Sequence, residues 1–489
     1  MASNADQDTM ERRFMPRTLP HFRAAVLLAL GLAVSACSTV DSILGPSGPP
    51  PGAVGSVQGF LGAAVADEPL TALAGRDVLS SGGNAADAMT AMITTGWVTY
   101  ASRAGIGGGG ACLAYFANPK SPSLGVPDAV VFPATAPAGG GGGDRPIALP
   151  MMARGVFLLH SRFGSRPLET YFASAEQMAR FGVGASRALV SDISVVGRAL
   201  MSDPGARAVF APGGVPLAEG DSLRQPELAS TLSTLRVSGV GDLYQGALAR
   251  RLEEMSPRIG GPLTVAQMRN ALPKLTQPLL VRTGRDVAAF LPPPADGGLA
   301  AAAAFKALMA TPNDVAGADA RAQAVASAWR AGGVTVDALL NGAAGSGYSL
   351  PSLPASTSLA VLDRNGNAVV CALSMNNLFG TGRIIPDLGI LAAASPALVP
   401  EPLLSAGIIW NEHVHAFRAA VGGSGQSGAA TAVAVGLFNT MRTQQPMPAM
   451  VPEPGRANII ACGRYLPNES ASCGWATDPR GSGLAASGG

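Results

Sequence analysis

The sequence predicts a mixed α+β protein, and three observations carry that reading. The chain has 489 residues, enough for two to four average domains or one large interleaved unit. Only 13% of its residues are charged while 47% are hydrophobic, a balance that suits a large, weakly charged folded body. Strand-like and helix-like patterns alternate from Ala63 to Ala117, and a hairpin pattern stands at Ser356 to Val369. The net charge of +2 gives no electrostatic case for nucleic acid or an acidic polymer as partner.

The N-terminus reads as an address. Arg12, Arg13, Arg17 and Arg23 precede the apolar run Ala24 to Val34, which is too short to span a bilayer as a helix. Val34-Ser35-Ala36-Cys37 then has the small-residue spacing of a cleavage site before a cysteine. The arrangement resembles a bacterial lipoprotein signal over 1–37, with Cys37 lipidated; a plain secretory signal is the second reading. The expected location is the periplasmic side of the cell envelope, lipid-anchored, with Ser38 favouring the outer membrane. Residues 38–58 are Pro/Gly/Ser-rich and read as a tether.

From residue 59 the pattern gives a strand at Ala63 to Asp67 and an amphipathic helix at Pro69 to Leu79. A deeply buried helix of small residues follows from Asn84 to Ala101, then a strand from Ala111 to Ala117. Between the last two lies Gly105-Ile106-Gly107-Gly108-Gly109-Gly110. A phosphate loop would need a following Lys-Ser/Thr and a helix, so close backbone packing is the better reading of these glycines. An exported chain can hold disulfides. Cys462 and Cys473 are close enough in sequence to bridge, whereas Cys112 and Cys371 sit in apolar runs and read as buried free thiols. His413-x-His415 puts two imidazoles on one face of a strand with no third ligand, so neither a metal nor a cofactor is expected.

The stretch Ser356-Thr357-Ser358-Leu359-Ala360-Val361-Leu362-Asp363 reads as a strand that opens on a hydroxyl residue. Asn365-Gly366 then turns the chain into a second strand. The preceding Gly/Ser/Pro-rich run, Gly342 to Ala355, reads as a pliable connector. Together they suit an N-terminal nucleophile, a residue freed by self-cleavage that attacks with its own α-amine as base. Strand alternation sends Thr357, the adjacent alternative, to the opposite face.

These segments resemble the γ-glutamyltransferase family over residues 59–480. Gly82-Gly83-Asn84-Ala85-Ala86-Asp87-Ala88 with the glycine turn matches its large-subunit signature. Leu223-Arg224-Gln225-Pro226-Glu227-Leu228, Tyr244-Gln245-Gly246 and Ala476-Thr477-Asp478-Pro479-Arg480 also have counterparts. The resemblance implies a four-layer αββα sandwich, a large-subunit-like region 59–355 and a small-subunit-like region 356–489. It implies Ser356 as nucleophile, Ser374 as the hydroxyl that steadies it, Gly425 and Gln426 as oxyanion donors, and Asn376 as a substrate contact. By the same correspondence Tyr115, Ser395 and Ser405 stand where the family binds the charged glutamyl head group. Tyr115 replaces an Arg, Ala393 to Leu398 contains no carboxylate, and Ser358 replaces a His. The implied function is a self-cleaving amidohydrolase or acyltransferase acting on a γ-glutamyl-type or less charged amide or peptide. The alternative is a catalytically impaired envelope protein with a binding or structural role.

Overall fold

The computed structural model describes residues 59–118, 125–343, 355–448 and 450–488. The expected signal, Cys37, the tether 38–58 and most of the connector before Ser356 (344–354) lie outside the described residues. Among the described residues no helix is long and apolar enough to cross a membrane.

Two antiparallel sheets are built from β1 (Gly62–Ala66), β2 (Gly109–Tyr115), β3 (Asp128–Phe132), β4 (Lys274–Thr276), β5 (Leu279–Thr283) and β6 (Asp286–Phe290). They continue with β7 (Ser356–Asp363), β8 (Ala368–Ser374), β9 (Ser405–Asn411), β10 (Ala416–Ser424), β11 (Arg456–Leu466), β12 (Cys473–Thr477) and β13 (Leu484–Gly488). The first sheet runs β13-β1-β7-β8-β2-β3-β4 and the second β12-β11-β10-β9-β6-β5. Strands from before and after residue 355 share both sheets, so the two regions are one interleaved body.

Alternation along the strands explains the layers. Ala360, Leu362, Val370, Ala406, Ile408 and Trp410 fill the space between the sheets. The alternate residues Leu359, Val361 and Leu373 face a helical layer that includes α1 (Pro69–Ser80) and α2 (Ala85–Thr99). α3 (Ala101–Ala104) and α4 (Arg187–Leu200) follow in sequence. On the second sheet, Val421, Ile409 and Ile459 pack against α5 (Asp296–Ala310), α6 (Val315–Ala331) and α7 (Ala429–Thr443). This is the four-layer αββα sandwich.

The predicted elements hold with local shifts. Every residue of α2 is buried, as its small-residue composition requires, and Asn84 closes its start with a capping box shared with Asp87. The helix breaks at Tyr100, whose backbone is not helical, and α3 resumes at Ala101. The glycine turn is a close-approach device. A Cβ on Gly108 would stand 2.4 Å from the Ser374 carbonyl oxygen, and one on Gly109 2.3 Å from the Ala134 nitrogen. His413 and His415 lie in the turn between β9 and β10 rather than on a strand face, because the chain reverses there.

Cys462 and Cys473 form the expected disulfide. The reading of Cys112 and Cys371 as free thiols is corrected: they form a second one. β2 and β8 are neighbours in a register that sets Cys371 directly opposite Cys112, a pairing 259 residues apart that spacing does not reveal.

Candidate active site

The hairpin β7–β8 fixes the central geometry. Asp363 secures its turn, accepting from the backbone N–H groups of Asn365 and Asn367 at 2.9 and 3.1 Å. The resulting register places Ser356 beside Ser374. Both are buried, and strand alternation points both between the sheets. Thr357 faces the other way and donates to the Asp67 carboxylate at 2.9 Å.

Above Ser356 the chain leaving β10 supplies two donors. The backbone N–H groups of Gly425 and Gln426 donate to Ser356 Oγ at 3.2 and 3.3 Å. Aiming consecutive N–H groups at one atom requires an unusual backbone, with φ of 89° at Gly425 and 54° at Gln426. A Cβ at residue 425 would stand 1.9 Å from the Pro454 carbonyl oxygen, so glycine is required there. Gln426 keeps its donor despite the positive φ. Among the described residues its buried carboxamide has no hydrogen-bond partner on either polar atom.

Below Ser356, Ser374 Oγ donates to the carbonyl of Ala355 at 2.8 Å and accepts from the Asn376 N–H at 2.8 Å. One hydroxyl thus polarises the carbonyl of the Ala355–Ser356 peptide bond while being held in place itself. Donors thus stand on both sides of that bond, two on Ser356 Oγ and one on the Ala355 carbonyl oxygen. A donor preorganised on a carbonyl oxygen stands where acyl transfer develops negative charge.

Other residues expected at the site fall elsewhere or are otherwise engaged. Asn376 is present, but its amide donates to the carbonyls of Ala134 and Ala394, each at 2.9 Å, so it ties two loops to the site. Tyr115 is not at the site. It lies at the far end of β2, opposite Ala368, whereas Gly109 at the near end pairs with Ser374. Its ring packs on Trp410 between the sheets, and burial pushes its phenol well above the ordinary range. Ser405 is also displaced. It alternates with the inter-sheet residues Leu404 and Ala406, faces Gly297 of α5, and donates to the Leu403 carbonyl at 3.0 Å. Ser395 lines a neighbouring cavity of about 280 Å³ with Asn377, Phe379 and Leu398, and its Oγ accepts from Ala397 at 3.3 Å. Among the described residues no group of three or more His, Cys, Asp or Glu is placed to hold a metal.

Sequence reasoning missed two polar groups beside Ser356. Arg103 of α3 donates to the Ser356 carbonyl at 3.3 Å and pairs with Asp192 of α4 at 2.6 Å. Asn458 of β11 donates to Asp67, to the Ser358 carbonyl and to Ser358 Oγ, each at 2.9 Å, clamping the start of β7 to the second sheet. The one signal for Arg103 was its charge in an otherwise small and apolar run next to the glycine turn.

A model of the gamma-glutamyltranspeptidase family matches residues 71–332, more than half of the chain. The chain belongs to the gamma-glutamyltranspeptidase family. The glutathione hydrolase proenzyme of Bacillus subtilis (strain 168) is 29% identical over 249 residues, 47% of this chain and 41% of that protein. The Acylase ACY 1 proenzyme of Pseudomonas sp. (strain SE83) is 29% identical over 238 residues, 45% of this chain and 43% of that protein. The matches thus span less than half the length of these relatives. Among solved structures, cephalosporin acylase from Bacillus halodurans superposes with a TM-score of 0.70 at 19% identity, covering 91% of this chain and 99% of that one. That likeness establishes the shared fold.

Proposed function

We propose that this family member is an N-terminal-nucleophile acyltransferase or amidohydrolase that activates itself by cleaving before Ser356. The supporting observation is the pair of donor sets around the Ala355–Ser356 bond. In the self-cleavage step, Ser356 Oγ attacks the Ala355 carbonyl carbon, and the oxygen's negative charge develops against Ser374 Oγ. The hydroxyl proton passes to the Ser356 nitrogen, the C–N bond breaks, and an ester joins Ala355 to Ser356 Oγ. Water hydrolyses that ester, leaving a carboxylate on Ala355 and a free α-amine on Ser356.

The freed amine, with a pKa of about 7.7–8.0 in an unperturbed chain, then takes the Ser356 hydroxyl proton as Oγ attacks an amide substrate. Gly425 and Gln426 supply N–H groups for the oxyanion of that second reaction. The substrate class we favour is an amide with an uncharged or weakly charged acyl group. The segment Ala393 to Leu398 holds no carboxylate for an α-amine, and Asn376 is already engaged by two carbonyls. A relative named as an acylase is consistent with this choice.

The test exposes the purified protein to p-nitroanilides bearing γ-glutamyl or uncharged acyl groups and follows the mass of the fragment beginning at Ser356. Acylation by the uncharged set, abolished in Ser356→Ala, supports the reading. Absence of both self-cleavage and acylation favours the alternative, a non-catalytic envelope protein. We further propose attachment to the periplasmic face of the outer membrane through lipid on Cys37. Membrane release of a Cys37→Ser variant is the expected outcome.

A further inference from the structure

The charges around Ser356 include one arrangement that self-cleavage does not use. Arg103 reaches the Ser356 carbonyl with Nη1 at 3.3 Å, while its Nε and Nη2 engage Asp192 at 2.8 and 2.6 Å. Ser102 Oγ donates to the same carboxylate at 2.7 Å, and the guanidinium lies 5.5 Å from the centre of the Tyr100 ring. Both charged side chains are largely buried, at 15% and 3% exposure, so solvent screens them weakly. Burial alone would pull the guanidinium pKa down, but the net direction is upward, with the paired Asp192 carboxylate contributing, so Arg103 stays charged.

We propose that Arg103 is a positioning residue for the nucleophile, which fixes the Ser356 carbonyl and, once the peptide bond is open, holds the new α-amine in its neutral, proton-accepting form. This rests on the self-cleavage reading above. The carbonyl and the amine belong to one residue, so the guanidinium lies within about 7 Å of the amine, its 3.3 Å contact plus roughly one residue's span. A like charge at that range disfavours protonation.

The other charged groups facing the amine are accounted for. Asp192 lies beyond the guanidinium, and its pairing with Arg103 offsets part of the effect. Asp67 at the end of β1 is engaged by Thr357, Ser358 and Asn458, and Glu68 by Thr71 and Thr99. Tyr100 is kept neutral, burial pushing its phenol well above the ordinary range. Across a cavity of about 230 Å³, Arg456 and Arg480 are paired with Glu453 and Asp478. Asp67 keeps its charge and opposes the effect, but Arg103 is the charge that touches Ser356 itself, so its removal sets the sign of the shift.

The sequence offers a direct readout. Residues 356–489 contain no lysine, so the Ser356 α-amine is the single amine of the cleaved fragment. Cyanate adds to unprotonated amines, so the rate of its addition to that fragment, followed by mass against pH, gives the amine's midpoint without any substrate. Arg103→Gln leaves Asp192 unbalanced and is expected to raise the midpoint by about one unit. Asp192→Asn leaves Arg103 unbalanced and is expected to lower it, while Arg103→Lys keeps it near the wild-type value. A merely structural role would not move the midpoint in opposite directions. Unchanged midpoints, or shifts of the same sign in the first two variants, overturn the role of Arg103 and leave the nucleophile reading standing. A wild-type protein that yields no Ser356 amine overturns both.

Discussion

Replacing Ser374 with alanine removes one oxygen atom and strips two buried groups of their partners. The Ala355 carbonyl loses its donor and the Asn376 N–H loses its acceptor, both bonds being 2.8 Å long. Left dry, each orphaned group costs about 1–3 kcal/mol of stability. The larger consequence is kinetic. Loss of a donor aimed at a developing oxyanion slows acyl transfer by about 10²–10³-fold, or roughly 3–4 kcal/mol of barrier. The two effects separate experimentally. A time course of intact mass after rapid purification gives the cleavage rate, and a urea unfolding curve gives the stability loss. Ser374→Thr, which keeps the hydroxyl, is expected to cleave at close to the wild-type rate, and Ser374→Ala to accumulate as full-length chain. If Ser374→Ala is folded and cleaved before Ser356 as fast as the wild type, the polarised carbonyl is not part of the mechanism.

Three further outcomes follow from other parts of the fold. Cys112 precedes the cleavage point and Cys371 follows it, so the cut protein is expected to run as one species until reduced, and as two fragments without reductant in a Cys371→Ala variant. Gly425→Ala forces a Cβ to within 1.9 Å of the Pro454 oxygen at a φ of 89°. It is expected to lose at least about 2 kcal/mol of stability, read from urea midpoints, together with self-cleavage. Burial, and after it the nearby Asp296, push the Glu401 carboxyl up to about 7 from an ordinary 4.5. The folded chain therefore keeps a proton that the unfolded chain releases, and stability falls as pH rises between those values, by about 3 kcal/mol at most. Glu401→Gln is expected to flatten that fall in urea midpoints measured across the same range.

The sequence carried the local part of this site and not the part made by register. Ser356, Ser374 and the Asn365-Gly366 turn lie within one hairpin, and alternation alone sends Ser356 inward and Thr357 outward. Gly425 and Gln426 were placed by motif correspondence, and their positive φ values show why the glycine could not change while the glutamine could be borne. Tyr115 was placed by correspondence with the family's Arg after the glycine turn, and the direction of β2 takes it away from the site. The strand runs straight away from Ser374, so each added residue moved the candidate farther off. Ser405 failed by parity, one residue off the face that points between the sheets. Cys112–Cys371 and Arg103–Asp192 join segments 259 and 89 residues apart, and pairings of that kind exist only once the sheet order and helix packing are set. Burial sharpens the same point. Asp192 is 2% exposed and ion-paired with Arg103 beside Ser356, a setting that its place in a helical run does not show.

The most direct test of the central claim is the intact mass of the purified protein after reduction, measured beside Ser356→Ala. The expected result is two fragments meeting between Ala355 and Ser356 in the wild type, with the variant a single chain. A single uncut chain in both, from protein that unfolds cooperatively, would contradict the account.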